Sequence, residues 1–89
     1  MKFEWDPVKA AANVAKHGVS FEEAKAAFTD LRAMESLDEN SQDEERWRLV
    51  GRAEPGILMI VYTERRDRIR IISARRADTR EQKAYLEQE

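Results

Sequence analysis

Phe3 and Trp5 alternate with Lys2, Glu4 and Asp6 at the start of the chain, the period-two pattern of a short strand. The pattern then becomes helical. Asp6 can accept from the free amides of a first turn, and Pro7 suits the first helical position, where no amide hydrogen is needed. Val8, Ala11, Ala12 and Ala15 recur at i, i+3, i+4 and i+7, which predicts a narrow apolar stripe packed on a sheet. Gly18 ends this helix as a left-handed cap. Ser20 with Glu23 three residues on forms a capping box for a second helix. Its apolar face is Phe21, Ala24, Ala27 and Phe28, and it is expected to stop near Asp30.

From there the chain reads as strands. Leu31 to Leu37 predicts a short one, followed by a polar acidic loop to about Glu44. Trp47 and Leu49 alternate with Arg46, Arg48 and Val50, and Gly51 to Gly56 supplies a turn. Ile57 to Thr63 is apolar on both faces, as in a central strand. Glu64 to Asp67 is a hairpin turn. In the last strand, strict alternation puts Arg70, Ile72, Ala74 and Arg76 on one face, with Ile69, Ile71, Ser73 and Arg75 on the other. Asp78 and Glu81 form a further capping box, opening a helix that carries Tyr85 and Leu86. Short connections predict an antiparallel meander with the helices on one face. The expected class is α+β, with two N-terminal helices and one C-terminal helix. Trp5 and Trp47 fall on the apolar sides of their strands and are expected in the core; Tyr85 either closes the core or stacks on a base.

Composition narrows the picture. Residues 1–89 are expected to form one domain around one modest core. Cysteine is absent, which removes disulfides and thiolate metal sites, and a lone histidine cannot build a histidine-type site; no metal or cofactor is expected. The longest apolar run, Ile57 to Tyr62, is six residues against the roughly 18–20 that a membrane span needs. The first residues carry no signal-peptide apolar stretch, so a cytoplasmic location is expected. Charge is the more informative property. The formal net charge is only -2. Yet Glu35 to Glu45 holds six acidic residues and no basic one, while Arg65 to Arg76 holds six arginines against Asp67, or 6 − 1 = +5. Arginine presents a planar fork of donors matched to phosphate or carboxylate. With a pI of about 5.5, any anion site on this chain has to be local.

Four segments together resemble the BrnT toxins, RelE-like ribonucleases of bacterial type II toxin–antitoxin systems. They are Phe3-Glu4-Trp5-Asp6 leading through Asn13 to Lys16-His17-Gly18-Val19-Ser20-Phe21-Glu22-Glu23-Ala24, and Glu45-Arg46 before Leu49-Val50-Gly51-Arg52. The others are Val61-Tyr62-Thr63-Glu64-Arg65, and Arg70-Ile71-Ile72-Ser73-Ala74-Arg75-Arg76-Ala77 with Glu81 and Tyr85 behind it. The resemblance implies a small RelE-like α+β domain, metal-independent RNA cleavage that inhibits translation, and a BrnA-type antitoxin partner. It further implies a heterotetramer of two toxins and two antitoxins, in which the antitoxin contacts DNA. Two departures stand out: Arg66 occupies a turn position where the family more often has glycine, and the C-terminal helix is less basic than in many members.

Cleaving RNA without a metal requires a group to take the 2′-hydroxyl proton, a group to protonate the 5′-leaving oxygen, and cations to stabilise the phosphorane. The candidate catalytic residues are Lys16, His17, Arg65, Arg75 and Arg76, with Arg46, Arg48, Arg52 and Arg70 as candidate RNA-binding residues. His17 is the only side chain whose unperturbed pKa lies near neutrality, and a helix C-terminus favours its protonated form. The bland alternative is that Lys16 and His17 only cap the last carbonyls. For Arg70 the alternative is a salt bridge to Glu45 or Glu81. The acidic stretch 35–45 is expected to be a solvated loop. A different functional reading also stands: a non-catalytic partner of a DNA-binding antitoxin that acts only in operon repression.

Overall fold

The computed structural model describes residues 1–40 and 43–88; residues 41–42, in the acidic loop, and Glu89, the last residue of the expected domain, lie outside them. A strand, β1 (Lys2–Glu4), leads into helix α1 (Pro7–His17) and helix α2 (Phe21–Ala24), which tightens into a 3₁₀ turn over Lys25–Thr29. Four strands follow: β2 (Met34–Leu37), β3 (Trp47–Ala53), β4 (Gly56–Arg65) and β5 (Arg68–Arg76); helix α3 (Thr79–Glu87) comes last. The sheet order is β1-β5-β4-β3-β2. β2 to β5 form the expected antiparallel meander, but β1 pairs with β5 in parallel, with Phe3 opposite Ile69. The two ends of the chain's ordered core thus meet at one sheet edge, through a long crossover rather than a hairpin.

The helix ends are where the caps put them. Asp6 accepts from the Val8 amide at 2.8 Å, and Gly18 closes α1 at φ 71°, a conformation that disfavours a side chain. Ser20–Glu23 and Asp78–Glu81 are both complete capping boxes. The second N-terminal helix is shorter as an α-helix than its apolar face suggests. Its 3₁₀ continuation lets Ala27 lie against Gly51, where an added Cβ would stand 2.9 Å from the Ala27 carbonyl oxygen.

The main core lies between one sheet face and the N-terminal helices. Phe21, Val19, Leu58, Ile60, Tyr62 and Ile71 are almost fully buried there. Edge-to-face rings continue it, Phe3 on Phe28 at 5.2 Å and Phe28 on Tyr62 at 5.0 Å, and both Trp5 and Trp47 pack against it. A smaller core of Val50, Met59, Ala77 and Tyr85 lies on the other face, beneath α3. The helices are therefore split between two faces, not gathered on one.

Two further expectations are corrected. The stripe Val8, Ala11, Ala12 and Ala15 faces solvent, with Val8 77% exposed. The inward side of α1 instead carries Ala10, Asn13 and His17. The buried Asn13 amide donates to the Ala74 carbonyl at 2.8 Å and accepts from the Ala74 amide at 3.2 Å; it also donates to the Val19 carbonyl at 2.9 Å. β1 is too short to cover β5 beyond Arg70, and this one side chain takes the place of a further strand residue. Second, alternation along β5 is broken. Val61 pairs with Ser73 and Tyr62 with Ile71, so Ile72 is an extra residue, a β-bulge. Ile69, Ile71 and Ala74 all serve the main core, and Arg70 moves to the face of Arg75 rather than that of Ala74.

Candidate functional site

The bulge gathers the arginines. On the sheet face opposite the main core, the register sets Val50, Met59 and Arg75 in one row and Arg48, Val61 and Ser73 in the next. Thr63, Arg70 and Glu4 make a third row, and Arg65 with Arg68 closes the hairpin. Helix α3 covers only the Val50–Met59 end. Five of the candidate arginines, Arg48, Arg52, Arg65, Arg70 and Arg75, therefore share this face, Arg52 at its far end.

Carboxylates hold them. Glu81 receives both arms of the Arg75 fork, at 2.8 and 3.0 Å, and Arg48 at 2.9 Å on the same carboxylate. Its remaining capacity goes to the Asp78 amide at 2.8 Å, through the capping box. The Glu81 side chain is only 14% exposed. Burial works against its charge, but the hydrogen bonds from Arg75 and Asp78 and the charges of Arg75 and Arg48 outweigh it and hold its carboxyl below the ordinary value. Arg75 is pushed up by its hydrogen bond to Glu81. Glu4 holds a second group, with Arg70 at 3.1 Å and Arg68 at 3.8 Å. Arg70 pairs with Glu4, and neither Glu45 nor Glu81 is its partner.

Glu44 binds the Arg65 fork at 3.2 and 3.4 Å, and the buried Thr63 hydroxyl donates to the Glu45 carbonyl at 2.7 Å. The far end of the acidic stretch is thus tied down on the arginine face and is not simply solvated. Arg46 lines a hollow with Arg65, Glu44 and Asp43, and its backbone carbonyl accepts from the Asp38 amide at 2.8 Å.

The remaining candidates stand apart. Arg76 donates to the Pro55 carbonyl at the β3–β4 turn. Arg52 lies at the other end of the arginine face, its guanidinium 5.8 Å from the centre of the Tyr85 ring and its backbone amide 2.8 Å from Asp30. Tyr85 is a core residue whose hydroxyl donates to Asp30. That bond lowers the Asp30 carboxyl and raises the Tyr85 phenol. Lys16 and His17 form the basic last turn of α1, beside the β5 edge that Asn13 closes. Neither is joined by an ion pair or side-chain hydrogen bond to the arginines among the described residues.

Glu81 and Glu4 are the residues that sequence reasoning undervalued. The signal for Glu81 was available: a capping box fixes a carboxylate at the mouth of α3, a few residues after Arg75. The signal for Glu4 was not, because its partners come from a strand pairing 66 residues away.

Such a face can bind a chain of phosphates, each replacing a carboxylate in an arginine fork. A family model described as the ribonuclease toxin BrnT of type II toxin–antitoxin systems matches residues 5–81. No curated protein matches the chain.

Proposed function

Because the chain belongs to the BrnT family of ribonuclease toxins of type II toxin–antitoxin systems, we propose that residues 1–89 act as one toxin domain that cleaves RNA without a metal and so inhibits translation. In this reading the 2′-hydroxyl gives its proton to water as its oxygen attacks the adjacent phosphorus, and the bond to the 5′-oxygen breaks. The products are a 2′,3′-cyclic phosphate and a 5′-hydroxyl end. Arg75 and Arg48 stabilise the charge that develops on the phosphoryl oxygens. Glu81 sets the two guanidinium groups side by side before RNA arrives, and Arg70, Arg65, Arg46 and Arg52 extend the track for the strand. His17 returns a proton to the leaving 5′-oxygen, Lys16 adds a cation beside it, and Arg76 contacts a flanking phosphate. The observation that carries the reading is the convergence of Arg75 and Arg48 on one half-buried carboxylate.

The family implies an antitoxin. We take it to be of the BrnA type, two copies with two toxins, covering the arginine face and supplying the only contact with DNA. The location proposed is the cytoplasm, where the substrate is; no helix among the described residues is long and apolar enough to cross a membrane. The other reading, a non-catalytic partner in operon repression, draws on the same pairing, since Glu81, Glu4 and Glu44 already fill arginine forks.

Growth after inducible expression separates the two. The parent chain is expected to arrest growth, and folded Arg75→Ala and His17→Ala variants to relieve it. A soluble, folded parent that leaves growth unchanged favours the repression role.

A further inference from the structure

Beside the Glu81 cluster lies a cleft of about 380 Å3 between α3 and the β2–β3 pair. Its floor is apolar, made by Met34, Val50 and Ala84, and Ser36, Arg48 and Arg80 line the rest together with the carboxylates of Asp78 and Glu81. Ligand pockets run from roughly 300 to 1,000 Å3, so this one has room for a single small ring system. Arg80 is exposed and its side chain makes no hydrogen bond, ion pair or ring contact with the described residues, whereas Arg48 spends one arm on Glu81. Both therefore have donors left to give, since a guanidinium carries five.

We infer that this cleft receives one nucleobase of the bound RNA and selects guanine. The inference rests on the ribonuclease reading for its substrate. Phosphates bound at Arg75 and Arg48 would run along the cleft's edge, and an unstacked base next to them can leave water for the floor of Met34, Val50 and Ala84. Proteins that read single-stranded RNA bind splayed bases in this way, on apolar or guanidinium surfaces. The rim then discriminates. Glu81 and Asp78 also line the cleft, and each keeps a backbone amide of the capping box when phosphate takes the arginine forks. The groups left to meet a base are arginine donors, the Ser36 hydroxyl and the remaining carboxylate oxygens, which match the N1 and N2 hydrogens of guanine. A donor-rich rim fits the paired acceptors O6 and N7 of guanine and opposes the exocyclic amino donor of adenine.

The test uses the full chain and does not require activity. Guanosine monophosphate, adenosine monophosphate and ribose 5-phosphate are titrated separately while backbone amide NMR shifts are followed. Guanosine monophosphate should move Ser36, Val50 and Ala84 and bind about fivefold or more tighter than the adenosine form. Ribose 5-phosphate should leave those three residues in place. Ala84→Phe fills the cleft from an exposed helix position and should abolish the guanosine effect; Arg80→Ala should remove the preference for guanine. Equal shifts from ribose 5-phosphate, or an unchanged guanosine response in Ala84→Phe, overturn the inference. Mapping the cut sites keeps the two ideas apart. A chain that cleaves RNA with one and the same profile in parent and Ala84→Phe retains its function and loses this base site. A chain that binds guanosine monophosphate in the cleft but cuts nothing retains the base site and loses the ribonuclease reading.

Discussion

Glu81 concentrates more of the site's energy than any other described residue, because one buried carboxylate answers two guanidinium groups and a helix-capping amide. Removing its charge leaves Arg75 half-buried without its partner. Glu81→Gln is therefore expected to cost about 2–3 kcal/mol in urea unfolding at pH 7. Its pH dependence follows from the direction of the shift. A carboxyl held below its ordinary value near 4.5 stabilises the fold above that pH and loses the contribution as pH falls through the lower folded value. The stability gap between parent and Glu81→Gln should accordingly be widest near neutrality and narrow below about pH 4.5; a gap independent of pH would contradict the pairing. Asn13 is the other irreplaceable polar side chain. Asn13→Leu strands the Ala74 amide and carbonyl and the Val19 carbonyl, and is expected to cost about 2–4 kcal/mol. Arg66 works in the opposite direction. It adopts φ 59° in the turn between β4 and β5, the position where the resemblance pointed to glycine. Arg66→Gly should raise the unfolding midpoint, by the equivalent of up to about 1 kcal/mol.

At the level of elements, the sequence was most legible where a local rule decides. Both capping boxes, the Pro7 start and the Gly18 stop were readable because the groups involved lie within three or four residues of one another. The meander was readable from alternation in β3 and β4. What was hidden depended on distant partners. The bulge at Ile72 is hidden because the Ile71-Ile72 doublet reads equally well as a strand buried on both faces, yet it decides which arginines share a face. The α1 stripe misled because alanines fit either side of a helix. The inward side was chosen by Asn13, whose partner Ala74 is 61 residues away. Likewise the parallel pairing of β1 leaves no local trace, so Glu4 could not be matched to Arg70. Helix α3 links fold and site: Asp78 starts it, Glu81 holds the arginines, and Tyr85 anchors its far end to Asp30. Asp78→Ala should cost about 1 kcal/mol by removing the cap. It should also lower RNA cleavage more than that cost explains, because the Glu81 amide loses the Asp78 carboxylate that fixes the first turn of α3 and with it the place of the Glu81 side chain; unchanged kcat/KM in the folded variant would separate α3 from the site.

For the whole molecule, the near-neutral total of -2 conceals a face on which arginines from β3, β4 and β5 stand beside the carboxylates of Glu4, Glu44 and Glu81. An acidic total keeps nonspecific attraction to nucleic acid weak, and in the proposed function the RNA phosphates displace these carboxylates from forks already set in register. Binding of single-stranded RNA should weaken as salt rises. Arg70→Ala should reduce the slope of log K against log salt by about 0.7, because one phosphate fewer is neutralised. The measurement closest to the central claim is cleavage of a single-stranded RNA by the purified chain in EDTA, beside folded Arg75→Ala and an Arg66→Ala control. Cyclic-phosphate ends from the parent and the control, with Arg75→Ala slower by about tenfold to a hundredfold, are the predicted result. A parent that requires a divalent metal, or an Arg75→Ala variant that cuts at the parental rate, would contradict the account.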